Sequence, residues 1–411
     1  MEQQRSQEQA TQSKIVVGNV SKLFGATAEA LALVRVGKGK TEIRERTGSV
    51  VGVADVSFEV GSGETFVVMG LSGSGKSTLL RCLNRLIVPT DGSIRIDGEE
   101  ITTAADAELR RLRLGKIAMV FQHFALLPHR TVGENVEYGL KIDGVDPVTR
   151  RRRALETLDL VGLESWADSR TRELSGGMQQ RVGLARALAV DPDVLLMDEP
   201  FSALDPLIRR DMQDELIELQ RRFRKTIVFI THDLHEALKL GDRVAIMKEG
   251  RFVQVGAPEE IVARPADSYV SAFTQDVDSG RILPLRAIMS APAAIKLTEI
   301  GTGAPSRGRA GYTPIHVLDD QGRPIGLVER ARLVQSSGAE DLREAMQRDF
   351  PRAGAEESIA TIYGLCRAGL PIAVTDDDGR LVGTVEPLDV FAALEQRNGQ
   401  GAVAHSADDR R

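Results

Sequence analysis

Gly70-Leu-Ser-Gly-Ser-Gly-Lys-Ser77 is the stretch whose reading decides the fold. It fits G-x-x-x-x-G-K-[ST], a loop whose glycines let backbone N–H groups turn inward onto phosphate oxygens. The apolar run Glu64-Thr-Phe-Val-Val-Met69 predicts a buried strand before the loop, and a helix is expected from about Lys76 onward. That helix would present its positive N-terminal end to the same anion. Gly70, Leu71, Ser72, Gly73, Ser74, Gly75, Lys76, Ser77 and Thr78 are thus candidates to hold a nucleotide's phosphates. Lys76 would reach the outer phosphates and Ser77 would ligate Mg²⁺.

Working outward, Val194-Leu-Leu-Met197 and Thr226-Ile-Val-Phe-Ile230 are short apolar runs of the kind that form buried parallel strands. Asp198 and Glu199 follow the first. A buried strand can aim such a carboxylate at a metal, so Asp198 is the candidate for Mg²⁺ and Glu199 for the base that polarises an attacking water. Gly92-Ser-Ile-Arg-Ile-Asp97 alternates as a half-exposed strand does. Arg243–Lys248 and Arg251–Val255 flank Glu249-Gly250, which predicts a hairpin. Strands separated by helical stretches give an α/β core.

The chain has 411 residues, room for two or three domains of about 150. Its net charge of -6 argues against a nucleic-acid binder. The two cysteines, Cys82 and Cys366, match no metal-ligand spacing and suit a reducing compartment. No apolar run approaches the roughly 18 residues that span a bilayer. The polar first 13 residues and the tail from 398 are expected to be disordered. The basic runs Arg150–Arg153 and Arg221–Lys225 are expected on helix surfaces.

Leu174-Ser-Gly-Gly-Met-Gln-Gln-Arg181, between the two motifs above, resembles the signature of the ABC ATPases. The resemblance covers residues 14–275 and implies a P-loop core with a helical subdomain. In that family Leu174, Ser175, Gly176, Gly177, Met178 and Gln179 would complete the site on the opposite copy of a homodimer, with Ser175 opening a helix toward the γ-phosphate. The family's commonest residue at Met178 is Gln, a departure shared with osmoprotectant importers. Gln122, in Val120-Phe-Gln-His123, corresponds to the glutamine that touches Mg²⁺ and water and senses the membrane subunit. Asp205, in Ser202-Ala-Leu-Asp205, corresponds to the residue bridging the two sites, and His232 to the switch histidine at the γ-phosphate. Its neighbour His235 matches nothing and reads as surface. Phe24 matches the adenine-stacking aromatic in context, although it lies 46 residues before Gly70, with residues 26 to about 50 inserted.

The longer run Gly70–Leu86, with Ile117–Gln122 and Phe201–Ile208, is similar to ATPases of glycine betaine, proline betaine or choline importers. That resemblance implies ATP and Mg²⁺, integral membrane permease subunits, an extracytoplasmic solute-binding protein, and a peripheral position on the cytoplasmic face of the cell (inner) membrane. Competing readings are an importer of another small solute such as an amino acid, a soluble non-transport ABC ATPase, and a non-catalytic nucleotide-sensing regulator. Intact Glu199 and His232 argue against the last.

After a linker at 275–280 the sequence repeats. Thr313–Glu329 matches Leu370–Glu386 at an offset of 57 residues, each copy reading strand, Asp-Gly turn, strand, helix. Residues 281–397 resemble a tandem CBS domain of α+β type. That resemblance places a ribose-holding aspartate at Asp389 in the second copy, but Arg332 stands there in the first, and Glu329 and Glu386 occupy positions often Ser or Thr. Acidic side chains disfavour a nucleotide there. Residues 281–335 carry 8 basic and 4 acidic groups, and 336–397 carry 6 and 12. This polarity predicts salt-sensitive docking of the pair onto a regulatory ligand or the membrane surface.

Overall fold

The computed structural model describes residues 13–391, apart from 123, 276, 278, 300–313 and 336–337. The expectations for residues 1–12 and 398–411 lie outside the described residues, and residue 13 opens the first strand. The chain divides into two compact units, residues 1–261 with 265–270, and 262–264 with 271–411.

The first unit opens with β1 (Ser13–Phe24), two short helices α1 (Ala28–Arg35) and α2 (Lys40–Thr47), and β2 (Val50–Gly61). Next come β3 (Thr65–Met69), α3 (Lys76–Leu83), β4 (Asp91–Ile96), β5 (Glu99–Glu100), α4 (Asp106–Gly115) and β6 (Ile117–Val120). A helical stretch follows: α5 (Val132–Ile142), α6 (Pro147–Leu160) and α7 (Gly176–Ala189). The unit continues with β7 (Val194–Asp198), α8 (Pro206–Phe223), β8 (Thr226–Thr231), α9 (Leu234–Leu240), β9 (Arg243–Lys248) and β10 (Arg251–Gly256), and the division between the units falls within α10 (Pro258–Ala263) and α11 (Ser268–Thr274).

Two sheets form. One is antiparallel, in the order β2-β1-β4-β5. The other runs β10-β9-β3-β8-β7-β6, all parallel except β10, which returns from β9 through the Glu249-Gly250 turn. Both turn residues take positive φ, 47° and 83°, as a two-residue hairpin of this hand requires. Phe58 of β2 stacks on Phe66 of β3 with ring centroids 4.9 Å apart, joining the sheets in one apolar core. Every residue of β3, β7 and β8 is buried, which is why these strands read as unbroken apolar runs rather than alternation.

The residues inserted after Phe24 fold into α1 and α2. Their apolar positions Ala30, Leu33, Val34 and Ile43 pack with Leu23, Val51 and Ala54 in a small core of their own. The Ser49 hydroxyl donates to the Gly25 carbonyl at 2.6 Å and closes the excursion at its base. No periodic signal in so short a segment announced these helices.

In the helical part, the Thr131 hydroxyl and Glu134 carboxylate form a reciprocal cap on α5. Fully buried Asn135 binds the Leu127 N–H and the carbonyls of Leu127 and Thr131, pinning the loop that leads into α5. The Arg150–Arg153 run lies on α6, where Arg150 and Arg151 pair with Glu137 and Arg152 with Glu156.

The second unit contains α12 (Ser279–Ile282), β11 (Ala294–Lys296), β12 (Ile315–Leu318), β13 (Pro324–Val328), α13 (Arg330–Gln335), α14 (Ala339–Ala345), β14 (Arg352–Gly354), β15 (Ile372–Thr375) and β16 (Leu381–Val385). Its two three-stranded sheets, β11-β12-β13 and β14-β15-β16, share one topology, a parallel pair followed by an antiparallel one. The sequence repeat is therefore a structural one. Asp319 and Asp376 each accept from two backbone N–H groups of their turn, and Gly322 and Gly379 supply the positive φ. The second copy's Asp389 accepts from the Glu386 N–H at 3.3 Å, so its carboxylate serves its own helix start.

Candidate functional site

Four neighbouring parallel strands end on one edge of the larger sheet, in register. Met69 of β3 lies opposite Thr231 of β8, Asp198 of β7 opposite Ile230, and Val120 of β6 opposite Met197. Gly70, His232, Glu199 and Gln122 each fall one or two residues beyond those ends. Residues more than 150 positions apart in sequence are thereby gathered at the carboxyl edge, where open α/β sheets place their ligands.

The loop leaves β3 at Gly70, whose φ is 159°. A methyl at Gly70 would lie 2.2 Å from the Met247 carbonyl oxygen, and one at Gly75 equally close to that of Gly52. No other residue type fits either position. The Ser74 N–H donates to the Leu71 carbonyl at 3.1 Å, making a tight turn of residues 71–74. The buried Ser74 hydroxyl finds no hydrogen-bond partner among the described residues. α3 begins directly after Gly75 with Lys76.

Lys76 is 4% exposed, and its ammonium donates to the Gly70 and Leu71 carbonyls at 2.8 and 3.2 Å. Burial pulls its pKa down from the ordinary lysine value, and the charges of Glu199 and Asp198 push it back up. Glu199 Oε1 lies 3.5 Å from Lys76 Nζ. The Ser77 hydroxyl donates to Asp198 Oδ1 at 2.8 Å, and Arg81 contacts the same carboxylate at 3.3 Å.

Glu199 sits in the left-handed region with φ 44°, uncommon for a residue with a side chain. Its N–H donates to the Ile230 carbonyl at 3.1 Å, holding the turn open against β8. This bend carries the Glu199 carboxylate to His232, Oε2 lying 2.9 Å from Nδ1. With Glu199 ionised, that contact requires the proton on Nδ1 and leaves Nε2 as the acceptor nitrogen of a half-exposed ring. The Gln122 amide donates to the Ser202 hydroxyl at 3.3 Å, and Ser202 donates to the Glu199 carbonyl at 2.9 Å. Gln122 is thus tied to the same turn. His235 is exposed, as its lack of motif context suggests.

Phe24 ends β1 with its ring 45% exposed. A methyl at Gly52 would meet both Thr78 and Phe24, at 2.9 and 3.1 Å, so the ring and the first turn of α3 flank one small gap.

Ser175 caps α7, its hydroxyl accepting from the Met178 N–H at 3.4 Å. Ser175 and Gly176 are exposed, whereas Gly177 packs on Ile208 of α8. The Gln179 amide donates to the carbonyls of Thr171 and Leu174, so this side chain shapes its own chain's entry into the motif. Asp205 caps α8 by accepting from the Ile208 N–H at 3.1 Å.

Three residues near the loop carried no sequence signal. Arg81 lies one helical turn beyond Ser77. Tyr269 of α11 has its phenol pushed up by burial, opposed by a backbone hydrogen bond with Leu71. Lys40 of α2 donates to the Gly73 carbonyl at 3.2 Å. Arg81 shares α3 with Lys76 and Ser77, whereas Tyr269 and Lys40 reach the site only through folding of segments distant in sequence.

Ser77 and Asp198 offer two oxygen donors side by side, the kind of incomplete set with which Mg²⁺ also takes phosphate and water oxygens. Among the described residues no group of three His, Cys, Asp or Glu forms a fuller cage. The donor set, the glycine cradle and the orphaned Ser74 hydroxyl fit a nucleotide with its metal. Fold and site together define a P-loop nucleotide-binding protein.

Comparison with known proteins narrows the class. A family profile described as "ABC transporter" matches residues 53–202, and one described as "CBS domain" matches 339–396. Glycine betaine transport ATP-binding protein OpuAA of Bacillus subtilis (strain 168) is 47% identical over 389 residues, covering 94% of this chain and 93% of that protein. Glycine betaine/proline betaine transport system ATP-binding protein ProV of Escherichia coli (strain K12) is 44% identical, covering 93% of this chain and 98% of that protein. Among solved structures, the ATP-binding cassette MJ0796, a dimer bound to ADP and Pi, is 34% identical with a TM-score of 0.51. It covers 59% of this chain and 98% of that one. The chain belongs to the ABC transporter ATP-binding proteins, in the branch of the glycine betaine, proline betaine and choline systems.

Proposed function

We propose that this chain is the ATP-hydrolysing subunit that powers import of a quaternary-amine osmoprotectant, such as glycine betaine, proline betaine or choline. The observation that carries the hydrolytic reading is the convergence of Lys76, Ser77, Asp198, Glu199 and His232 at one strand edge. The solute class rests on the relatives and on the match extending over nearly the whole chain, CBS unit included.

In this reading Lys76 and the N–H groups of residues 71–78 take the phosphates, and Phe24 stacks on adenine. Ser77 and Asp198 hold Mg²⁺, with Gln122 completing its surroundings. The metal, when bound, neutralises charge developing on the phosphoryl oxygens. Glu199 accepts the proton of an attacking water, and His232, oriented by Glu199, faces the γ-phosphate. Ser175 and Gly177 of a second copy close the site from outside, with Asp205 bridging the two sites. Both signature residues open a helix whose N-terminal dipole suits a phosphate.

Among the described residues no helix is long and apolar enough to cross a membrane. Coupling to transport therefore goes through separate integral membrane permease subunits at the cytoplasmic face of the inner membrane. An external solute-binding protein delivers the substrate. The CBS pair, with its split charge, docks on a regulatory ligand or the membrane surface.

Glu199→Gln tests the assignment. It preserves size and the contact with His232 but removes the base. The variant is expected to bind MgATP and dimerise while turnover falls by about 10²-fold or more. Near-normal turnover would contradict the role.

A further inference from the structure

The inserted segment between Phe24 and β2 ends on the phosphate loop. Lys40 is the first residue of α2, and its ammonium donates to the Gly73 carbonyl at 3.2 Å. The next carbonyl, Ser74, accepts from the Gly250 N–H at 2.7 Å. Two successive carbonyls of the loop are therefore held from outside, one by the insertion and one by the β9–β10 turn.

The position of Lys40 is costly by itself. A cation at a helix N-terminus opposes the helix dipole. Its stem is half-buried, which pulls its pKa below the usual lysine value, with the Glu249 carboxylate acting the other way. Its Cε lies close enough to Gly250 that a methyl there would meet it at 3.3 Å. The nearby Lys38, which precedes the helix, by contrast pairs with Glu42 at 3.1 Å on the surface. A small apolar core fixes the two helices, and the Ser49–Gly25 bond fixes their base. Lys40 is thus delivered to the loop by a preformed support rather than a flexible arm.

We propose that Lys40, presented by the folded insertion, belongs to the nucleotide site as a positioning residue that holds the Gly73 carbonyl outward. In doing so it locks the Leu71–Ser74 turn, already bonded from Ser74 N–H to Leu71, in the shape that receives phosphate. This rests on the reading of the loop as an ATP site. The brace acts on the resting shape of the loop and not on the reacting atoms, so its loss weakens nucleotide binding while the chemical step is retained.

The test uses the full chain with Lys40→Met, which keeps the aliphatic stem and removes the donor, beside Lys40→Arg and the control Lys38→Ala. Affinity is measured with a fluorescent, non-hydrolysable ATP analogue and Mg²⁺, and steady-state ATPase gives KM and kcat. Removing a charge-assisted bond predicts that Lys40→Met raises both the dissociation constant and KM by about tenfold. kcat should stay within about twofold. Lys40→Arg should recover most of the loss, and Lys38→Ala should match the wild type. Wild-type affinity in Lys40→Met would overturn the proposal. So would a loss confined to kcat, an equal defect in Lys38→Ala, or no recovery with arginine. Failure of the wild-type chain itself to bind the analogue would sink the ATP reading first and the brace with it.

Discussion

Gly177→Ala puts the signature helix and the helix after Asp205 in direct conflict. The added methyl would lie 2.5 Å from Ile208 Cγ2, where ordinary contact begins at 3.4 Å. The two helices must therefore separate by about 0.9 Å, or Ile208 must move. Ile208 branches at Cβ and sits in the first turn of α8, where such side chains keep one strongly preferred rotamer, so the methyl cannot simply swing aside. Two effects oppose each other. Replacing a helical glycine by alanine stabilises by about 0.5–1 kcal/mol. Overpacking costs about 1–3 kcal/mol. The overlap wins, leaving a net loss of about 1 kcal/mol, which for a unit of this size lowers Tm by about 2–4 °C.

The assay is thermal unfolding of the single variants and of Gly177→Ala/Ile208→Ala, with ATP-driven dimerisation followed in a Glu199→Gln background. Truncating Ile208 should cancel the alanine penalty, giving a favourable coupling of about 1 kcal/mol in the cycle and restoring dimerisation. Gly177→Ala with unchanged Tm and zero coupling to Ile208 would refute the packing argument. A dimerisation defect that Ile208→Ala does not relieve would show that Gly177 acts through its partner copy alone.

Two further outcomes follow from buried polar groups. His316, fully buried on β12, has no hydrogen-bond partner for either ring nitrogen among the described residues, and burial pushes its pKa from 6.5 down to about 4. Between those values the unfolded chain binds more protons than the folded one. Stability of the second unit therefore falls as pH drops through that window, by about 3 kcal/mol in all. Calorimetry should show His316→Leu losing this slope, and an unaltered slope would disprove the cause. Asn135→Ala strips partners from the Leu127 N–H and two carbonyls, costing about 1–3 kcal/mol. A denaturation midpoint equal to wild type would show that water replaces the amide.

Much of this site is legible before folding because its parts are local. Gly70–Ser77 is recognisable as a candidate phosphate loop, and the structure gives its glycines a reason, since only glycine tolerates the positive φ and the carbonyls that crowd Gly70 and Gly75. Asp198-Glu199 became candidates because they follow a strand-like apolar run with a phosphate-loop motif upstream, whereas His232 was readable only through the resemblance to the ABC ATPases. The repeat at 57 residues likewise survives as two sheets of one topology, because matching turns and apolar positions impose matching registers. The linear order of residues does not contain the distance between them. Parallel pairing of β3, β8, β7 and β6 brings Lys76 within 3.5 Å of Glu199 and sets Gln122 behind it. The insertion after Phe24 reads as a mere interruption until its small core folds and points Lys40 at Gly73. Short-range chemistry marked which residues are candidates for a phosphate site; the strand register and the packing of an irregular segment, both products of long-range burial, decided which of them meet.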